Sequence, residues 1–227
     1  MKVLAIDTAT EQCSVALLSA DGRWTRETPT ARNHADLILP MIEQLFAASG
    51  WSLTELDGLA FGRGPGSFTG VRIATGVAQG LALATGLPVV GISNLAAVAQ
   101  QIVDDRHLAV GDEVLVCMDA RMHEVYWAVY RVGDNGEVCS SGMERVSPAA
   151  EVVADAAHIK WGVGTGWRAY PELRKKFPLL DLDEARLPRA IEIAQLGMSA
   201  LRAGEGTAAV GAQPVYLRDN VVRLASK

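Results

Sequence analysis

The chain has 227 residues, of which 49% are hydrophobic and 21% charged, and it carries a formal net charge of −5 at pH 7. This composition is typical of a globular protein, and no apolar run reaches the roughly 18 residues that a membrane-spanning helix needs, so we expect no membrane association. An acidic chain lacks the clustered Lys and Arg that hold phosphate backbones, so we expect it not to bind nucleic acid by itself.

The first half of the chain alternates short apolar runs with longer helical segments. Strands are predicted over residues 3–6, 13–18, 23–27, 58–61 and 89–91, and helices over residues 33–48, 70–84 and 93–102. Asn33 is a suitable N-cap for the first helix, and Gly50 is a suitable stop. Pro40 lies inside that helix, so we expect a kink or an early end there.

The second half repeats the order of the first. Strands are predicted over 114–118, 124–130 and 161–164, and helices over 148–156, 171–176 and 188–203, each of which begins with a proline that suits a first turn. In both halves a strand ends in aspartate, Asp7 or Asp119, and a second strand and an Asp-Gly or Asn-Gly turn follow. The repeat predicts a duplicated α/β unit with a first lobe over residues 1–105, a second over 106–189, and a tail over 206–227.

The most distinctive motif follows the fourth predicted strand and reads Gly62-Arg63-Gly64-Pro65-Gly66-Ser67-Phe68-Thr69-Gly70-Val71-Arg72. It contains neither G-x-x-x-x-G-K-[ST] nor G-x-G-x-x-G, so two common nucleotide motifs are rejected. The pattern leaves two interpretations equally open: a cradle for an anion at a helix N-terminus, or a tight strand-to-helix turn. The candidate residues of this loop are Gly64, Gly66, Ser67, Thr69 and Gly70.

The predicted helices over 33–48 and 70–84 are apolar around most of their circumference. In the second, small residues recur at four-residue spacing, which would let another helix approach closely. Such helices are covered on both sides, either by a third layer of the same chain or by another protein, and the pattern supports both alternatives. We predict a helical interface with a partner, and a homodimer through the same helices when the chain is isolated. The predicted interface residues are Leu37, Ile38, Met41, Ile42, Leu45, Arg72, Ala74, Thr75, Ala78, Gln79 and Ala82.

Four charged residues are candidates for the junction between the lobes: Asp7, Asp119, Arg121 and Glu124. The last three have the chemistry of an acid–base set, but ion pairs at the junction or with a partner are the favoured interpretation. Tyr126 and its neighbours alternate along a strand, which is typical of packing.

Scattered histidines and cysteines argue against a metal site and against disulfides. His34, His107, His123 and His158 show no ligand spacing. The three cysteines, at positions 13, 117 and 139, show no pairing pattern, and the N-terminus is charged too early for a signal peptide. These features predict a cytoplasmic protein.

Four segments together resemble one known family. They are residues 6–10 (IDTAT), the glycine-rich motif, residues 119–126 (DARMHEVY) and residues 214–218 (PVYLR). The chain resembles the TsaB (YeaZ) family over essentially its whole length. The resemblance implies an actin/hexokinase/Hsp70-like (ASKHA) α/β fold of two lobes, with mixed sheets flanked by helices. It also implies that the C-terminal helix, at about 190–205, returns to the first lobe.

The family resemblance also implies a function. Members take part in the N6-threonylcarbamoyladenosine (t6A) modification of tRNA as the non-catalytic scaffold of a paralogous threonylcarbamoyltransferase, TsaD. The implied partners are a TsaD-type protein in a heterodimer and a TsaE-type ATPase, and tRNA is reached only through the complex.

Two departures from the catalytic relatives predict that this chain has no activity, metal or cofactor of its own. Where the catalytic paralogue carries an H-x-x-x-H metal pair, the matching positions are Asn94 and Val98. The phosphate-wrapping turns, usually D-x-G-T and D-x-G-G, read DTAT from Asp7 and DARM from Asp119, and we expect Arg121 and Met122 to avoid positive φ. The alternative functions are a small ASKHA-type phosphotransferase and a metallopeptidase.

Overall fold

The computed structural model describes residues 1–30 and 32–218. The described residues form two mixed β-sheets and six α-helices. The strands are β1 (Val3–Asp7), β2 (Gln12–Ser19), β3 (Gly22–Pro29), β4 (Gly58–Gly62), β5 (Val89–Ile92), β6 (Glu113–Asp119), β7 (Glu124–Val132), β8 (Val138–Ser140), β9 (Arg145–Pro148), β10 (Ile159–Val163) and β11 (Asp181–Asp183). The helices are α1 (His34–Ser49), α2 (Phe68–Thr85), α3 (Asn94–Arg106), α4 (Gly166–Ala169), α5 (Pro171–Lys176) and α6 (Ala190–Arg202).

The two sheets share one topology. The first has the strand order β3-β2-β1-β4-β5, and the second has the order β8-β7-β6-β10-β11, with β9 as an additional partner of β7. In each sheet the central strand is antiparallel to the strand that follows it and parallel to the strand on its other side. This repeated order confirms the predicted duplication and the ASKHA-like fold class.

The alternation of side chains along the central strands shows in which order the helices and sheets are layered. In β1, Leu4 and Ile6 pack with α1 and α2, whereas Val3 and Ala5 face α3 and α6. In β6 the same alternation separates the side that faces α3 and α6 from the side that packs on α4 and α5. Because side chains of a strand point alternately to opposite faces, the order of layers follows directly. From one side to the other they are α1 and α2, the first sheet, α3 and α6, the second sheet, and α4 with α5.

Three of the four ends of α1 and α2 follow ordinary capping rules, whereas Asn33 occupies the N-cap position of α1 but its side chain makes no capping hydrogen bond. The Ser67 hydroxyl accepts a hydrogen bond from the amide of Gly70 at the start of α2, over 3.4 Å. Gly50 and Gly86 end α1 and α2 in the left-handed conformation, with φ of 70° and 73°. Pro40 lies inside α1 without ending it, in contrast to the early end considered above.

The C-terminal part of the described chain returns to the first sheet. The amide of Ala190, at the start of α6, donates to Ser14 Oγ over 2.9 Å. Gly197 lies against the same sheet so closely that a Cβ there would be 2.5 Å from Ala60 Cβ. Beyond the helix, Thr207 exchanges two backbone hydrogen bonds with Val89 of the edge strand β5, each of 2.9 Å.

Several short elements differ from the sequence-based expectation. The predicted helix over 148–156 is only a 3-10 turn at Ala149–Glu151, and Pro148 ends strand β9 instead of starting a helix. The strands β8, β9 and β11 and the four-residue helix α4 were not predicted. Each of these elements has four residues or fewer, too few to display a periodic pattern. Within the described ranges, no helix is both long and apolar enough to cross a membrane.

Candidate functional site between the lobes

A cleft of about 670 Å³ lies between the two lobes. Its walls are the β1–β2 turn, the glycine-rich loop, the β6–β7 turn and the C-terminal segment. These walls include residues 9–11, 65–71, 118–121 and 215–218. The cleft therefore gathers segments from all four sequence regions that resemble the TsaB family.

The glycine-rich loop packs directly on the backbone of the β1–β2 turn. A Cβ at Gly70 would lie 1.9 Å from the carbonyl oxygen of Thr8, and a Cβ at Gly66 would lie 2.5 Å from that of Ala9. Thr8 Oγ1 donates to the carbonyl of Gly70 over 2.6 Å, and the Ser67 amide donates to the carbonyl of Ala9 over 2.7 Å. Glycine is required here because backbone meets backbone.

A second set of contacts holds the start of the same loop. Gly64 has φ of 104°, and its amide donates to Asn94 Oδ1 over 2.8 Å. The amides of Gly64, Ser67 and Gly70 thus all have acceptors within the protein. These contacts support the interpretation as a packed turn. Thr69 is exposed, and an anion at the loop remains an untested prediction.

Asp7 lies beneath the loop and is completely buried. Its Oδ1 accepts a 2.6 Å hydrogen bond from Asn94 Nδ2, and its Oδ2 has no hydrogen-bond partner among the described residues. Burial raises the pKa of Asp7 to about 7, while the Asn94 amide and the backbone of Ala9 and Thr8 oppose the rise. Asn94 thus links Asp7 to the glycine-rich loop.

The other three junction candidates meet at the β6–β7 turn. Arg121 donates from its amide to Asp119 Oδ1 over 2.7 Å and from its guanidinium to Asp119 Oδ2 over 2.9 Å. The Tyr170 hydroxyl also donates to Asp119 Oδ1, over 2.7 Å, and burial of Tyr170 raises its pKa to about 12. Glu124 pairs with the guanidinium of Arg218. These charges form ion pairs, whereas Asp7 lies apart from them in the first lobe.

The backbone of this turn contradicts one expectation. Arg121, Met122 and His123 have φ of 62°, 57° and 62°, so non-glycine residues do occupy the left-handed region. The conformation costs roughly 1–2 kcal/mol per residue, and the surrounding hydrogen bonds must hold it. Backbone hydrogen bonds of 3.0 Å, from Ala120 to Glu124 and from Glu124 to Arg121, close the turn.

Most of the predicted interface residues are buried within this chain. They are Ile38, Met41, Ile42, Leu45, Ala74, Thr75, Ala78 and Ala82. Their assignment to a partner-contacting surface was wrong, because they form the stripe of α1 and α2 that packs on the first sheet. Of the remaining three, Leu37 is half-buried and Arg72 exposed, and half-buried Gln79 donates through Nε2 to the carbonyl of Ala212 over 2.7 Å.

The opposite stripe of the same helices is open to solvent, and it carries large apolar side chains beside charged ones such as Glu43 and Arg72. Leu83 is 80% exposed, Phe68 58% and Leu39 50%. Gly76 and Gly80 lie on this outer side of α2, and a Cβ at either would meet nothing within 4 Å. The exposed apolar side chains of α1 and α2 therefore lie on the side opposite to most of the predicted interface residues.

Over residues 1–30 and 32–218, no three His, Cys, Asp or Glu side chains are grouped as a metal ion would require. Val98 is fully buried in the core between the sheets. His34 lines the cleft, and burial lowers its pKa.

Comparison with known proteins identifies the family. A family model described as TsaD, tRNA N6-adenosine threonylcarbamoyltransferase, matches residues 28–226. The tRNA threonylcarbamoyladenosine biosynthesis protein TsaB of Escherichia coli (strain K12) is 43% identical, covering 97% of this chain and 96% of its own length. The chain belongs to the TsaB (YeaZ) family. TsaB of Haemophilus influenzae is 39% identical over 97% of the chain and 95% of that protein.

Solved structures agree with the assignment to the TsaB family. YeaZ from Pseudomonas aeruginosa superposes with a TM-score of 0.85 at 42% identity, covering 95% of this chain and 99% of that one. The family is involved in t6A biosynthesis on tRNA, so the sequence-based assignment of the family is confirmed.

Proposed function

We propose that this TsaB-family chain is a non-catalytic scaffold that supports a TsaD-type threonylcarbamoyltransferase through the outer face of α1 and α2. One observation carries the proposal: on the outer stripe of these helices Leu39 is 50% exposed and Leu83 80% exposed in the described chain. Isolated apolar side chains are common on protein surfaces, but large exposed ones on two helices, beside an open stretch of helix backbone, favour an interaction site.

The shape of the stripe fits a helical partner. Gly76 and Gly80 are one turn apart on α2 and leave open space above the helix backbone. A partner helix can therefore approach closely and bury the flanking side chains, including Ile73 and Val77, which are only partly covered. When the chain is isolated, a second copy can occupy the same face, which would give a homodimer.

The interior of the cleft supports the absence of catalysis. Asn94, at the first metal-ligand position of the catalytic paralogue, is committed to Asp7 and Gly64 by two hydrogen bonds. Asp119 accepts from Arg121 and Tyr170. Groups engaged in this way stabilise the turns, which supports a structural role for them. In this proposal the TsaE-type ATPase and tRNA are met only in the assembled complex.

The test is a charge placed on the outer stripe. Leu83→Arg should weaken binding to the TsaD-type protein of the same organism by about thirtyfold or more, the effect of losing a central apolar contact. Leu179→Arg is the matched control, because Leu179 is 95% exposed in the second lobe. Affinity is measured by calorimetry, and t6A is measured by nucleoside analysis of tRNA after replacement of the gene in cells.

The controls separate a lost interface from a lost fold. Leu83→Arg should retain the circular dichroism spectrum and melting temperature of the parent chain. By contrast, Ala78→Arg should abolish folding, because the Ala78 side chain is fully buried. Normal affinity and normal t6A with Leu83→Arg would refute the proposed interface.

A further inference from the structure

The described C-terminal segment crosses the first lobe and ends on the second. Thr207 is paired with strand β5, and the carbonyl of Ala212 accepts from Gln79 on α2. The amide of Val215 then donates to the carbonyl of Arg63 over 2.7 Å, at the start of the glycine-rich loop. Beyond this point the chain spans the cleft and reaches the β6–β7 turn.

The fit of this segment at the glycine-rich loop is close. A Cβ at Gly64 would lie 2.7 Å from the carbonyl oxygen of Val215, so glycine is needed where the two backbones meet. The ring of Tyr216 lies 5.7 Å from that of Phe68, and the guanidinium of Arg72 is 3.2 Å from the centre of the Phe68 ring. The segment is thus fixed on the first lobe by backbone and side-chain contacts.

Arg218 makes the contact with the second lobe. Its guanidinium donates to the carbonyl of Ala120 over 3.0 Å and pairs with the carboxylate of Glu124. Ala120 and Glu124 are also paired through the backbone, and they flank the three left-handed residues 121–123. One side chain therefore bridges both ends of the strained turn. Arg218 and Glu124 are each 19% exposed, so the pair is largely shielded from solvent.

We propose that residues 207–218 form a strap whose terminal contact, the Arg218 guanidinium, holds the β6–β7 turn in its left-handed conformation. The turn forms one wall of the cleft. Because the strap is fixed on the first lobe and contacts this turn, it determines the shape of the cleft. Arg218 is a positioning residue in this arrangement. A left-handed turn without glycine needs such external support, because its backbone alone favours other conformations.

The test follows amide hydrogen exchange in the full-length chain. Arg218→Gln should increase exchange of the Ala120 and Glu124 amides by about tenfold or more, the effect of losing a charge-assisted hydrogen bond. Arg218→Lys should give a smaller increase, because it retains the charge but not the planar pair of donors. Arg26→Gln, at an exposed position on β3, is the matched control and should leave exchange at the turn unchanged.

A second substitution distinguishes support of a strained backbone from simple packing. Glycine takes positive φ without steric cost, so Met122→Gly combined with Arg218→Gln should restore most of the lost protection. Unchanged exchange at the turn in Arg218→Gln would overturn the proposal. An increase in amide exchange that Met122→Gly fails to reverse would also overturn it. So would a loss of protection that extends equally across both sheets in Arg218→Gln and Arg218→Lys.

Discussion

Replacement of Asp7 by asparagine tests whether the buried carboxyl makes the protein less stable at neutral and alkaline pH. Asparagine has the same shape and keeps an oxygen that can accept from Asn94 Nδ2. In the folded chain the pKa of Asp7 rises from 3.8 to about 7, chiefly because burial removes the charge from water. The rise of roughly three pKa units corresponds to an upper bound of about 4 kcal/mol against the charged form.

The sign of the effect follows from proton binding. Between pH 4 and pH 7 the folded chain retains the proton on Asp7, whereas the unfolded chain has already lost it. The folded state then binds more protons, so the contribution of this group to stability falls as pH rises through this range. The Asp7→Asn variant has no titrating group at this position. Its free energy of unfolding should therefore increase relative to that of the parent chain, by up to about 4 kcal/mol between pH 4 and pH 8.

The assay is urea unfolding followed by circular dichroism at several pH values, with the free energy of unfolding compared at each. Asp134→Asn is the control, because the Asp134 side chain is exposed. The difference between Asp7→Asn and the parent chain should grow with pH, and that for Asp134→Asn should not. Parallel pH profiles for Asp7→Asn and the parent chain would refute the reasoning.

Two further predictions concern close contacts around the glycine-rich loop. Gly70→Ala should destabilise the chain by several kcal/mol, since its Cβ would lie 1.9 Å from the Thr8 carbonyl oxygen. Gly76→Ala should instead stabilise the chain by about 0.5–1 kcal/mol, because a Cβ at this position meets nothing within 4 Å. Thermal and urea unfolding of both variants check this, and equal effects would contradict it. Asn94→Ala should cost about 2–4 kcal/mol because it leaves Asp7 Oδ1 without its donor, and the loss should shrink markedly when it is combined with Asp7→Leu. A double-mutant cycle measures this coupling, and strictly additive losses would contradict it.

Local patterns in the sequence determine much of this fold. Short apolar runs define the central strands, and long apolar segments that end at glycine define α1 and α2, because segment length and turn residues separate strands from helices. The repeat of strand, aspartate, strand and turn from Asp7 and from Asp119 predicts the duplication that the strand order confirms. The motifs that resemble the TsaB family also come from the sequence, and they assign the family before any contact is known.

Contacts between distant parts of the chain decide what the sequence leaves open. An apolar circumference predicts that α1 and α2 are covered on both sides, but only packing on the first sheet separates buried Ala78 from exposed Leu83. A glycine pattern does not show what the loop packs against, and only the tertiary structure places the Thr8 carbonyl beneath Gly70. Arg218 lies 94 positions from Glu124, and no local pattern encodes that pair. The strained turn was mispredicted for the same reason. The preference of non-glycine residues for negative φ describes an isolated residue, and tertiary hydrogen bonds can outweigh that preference.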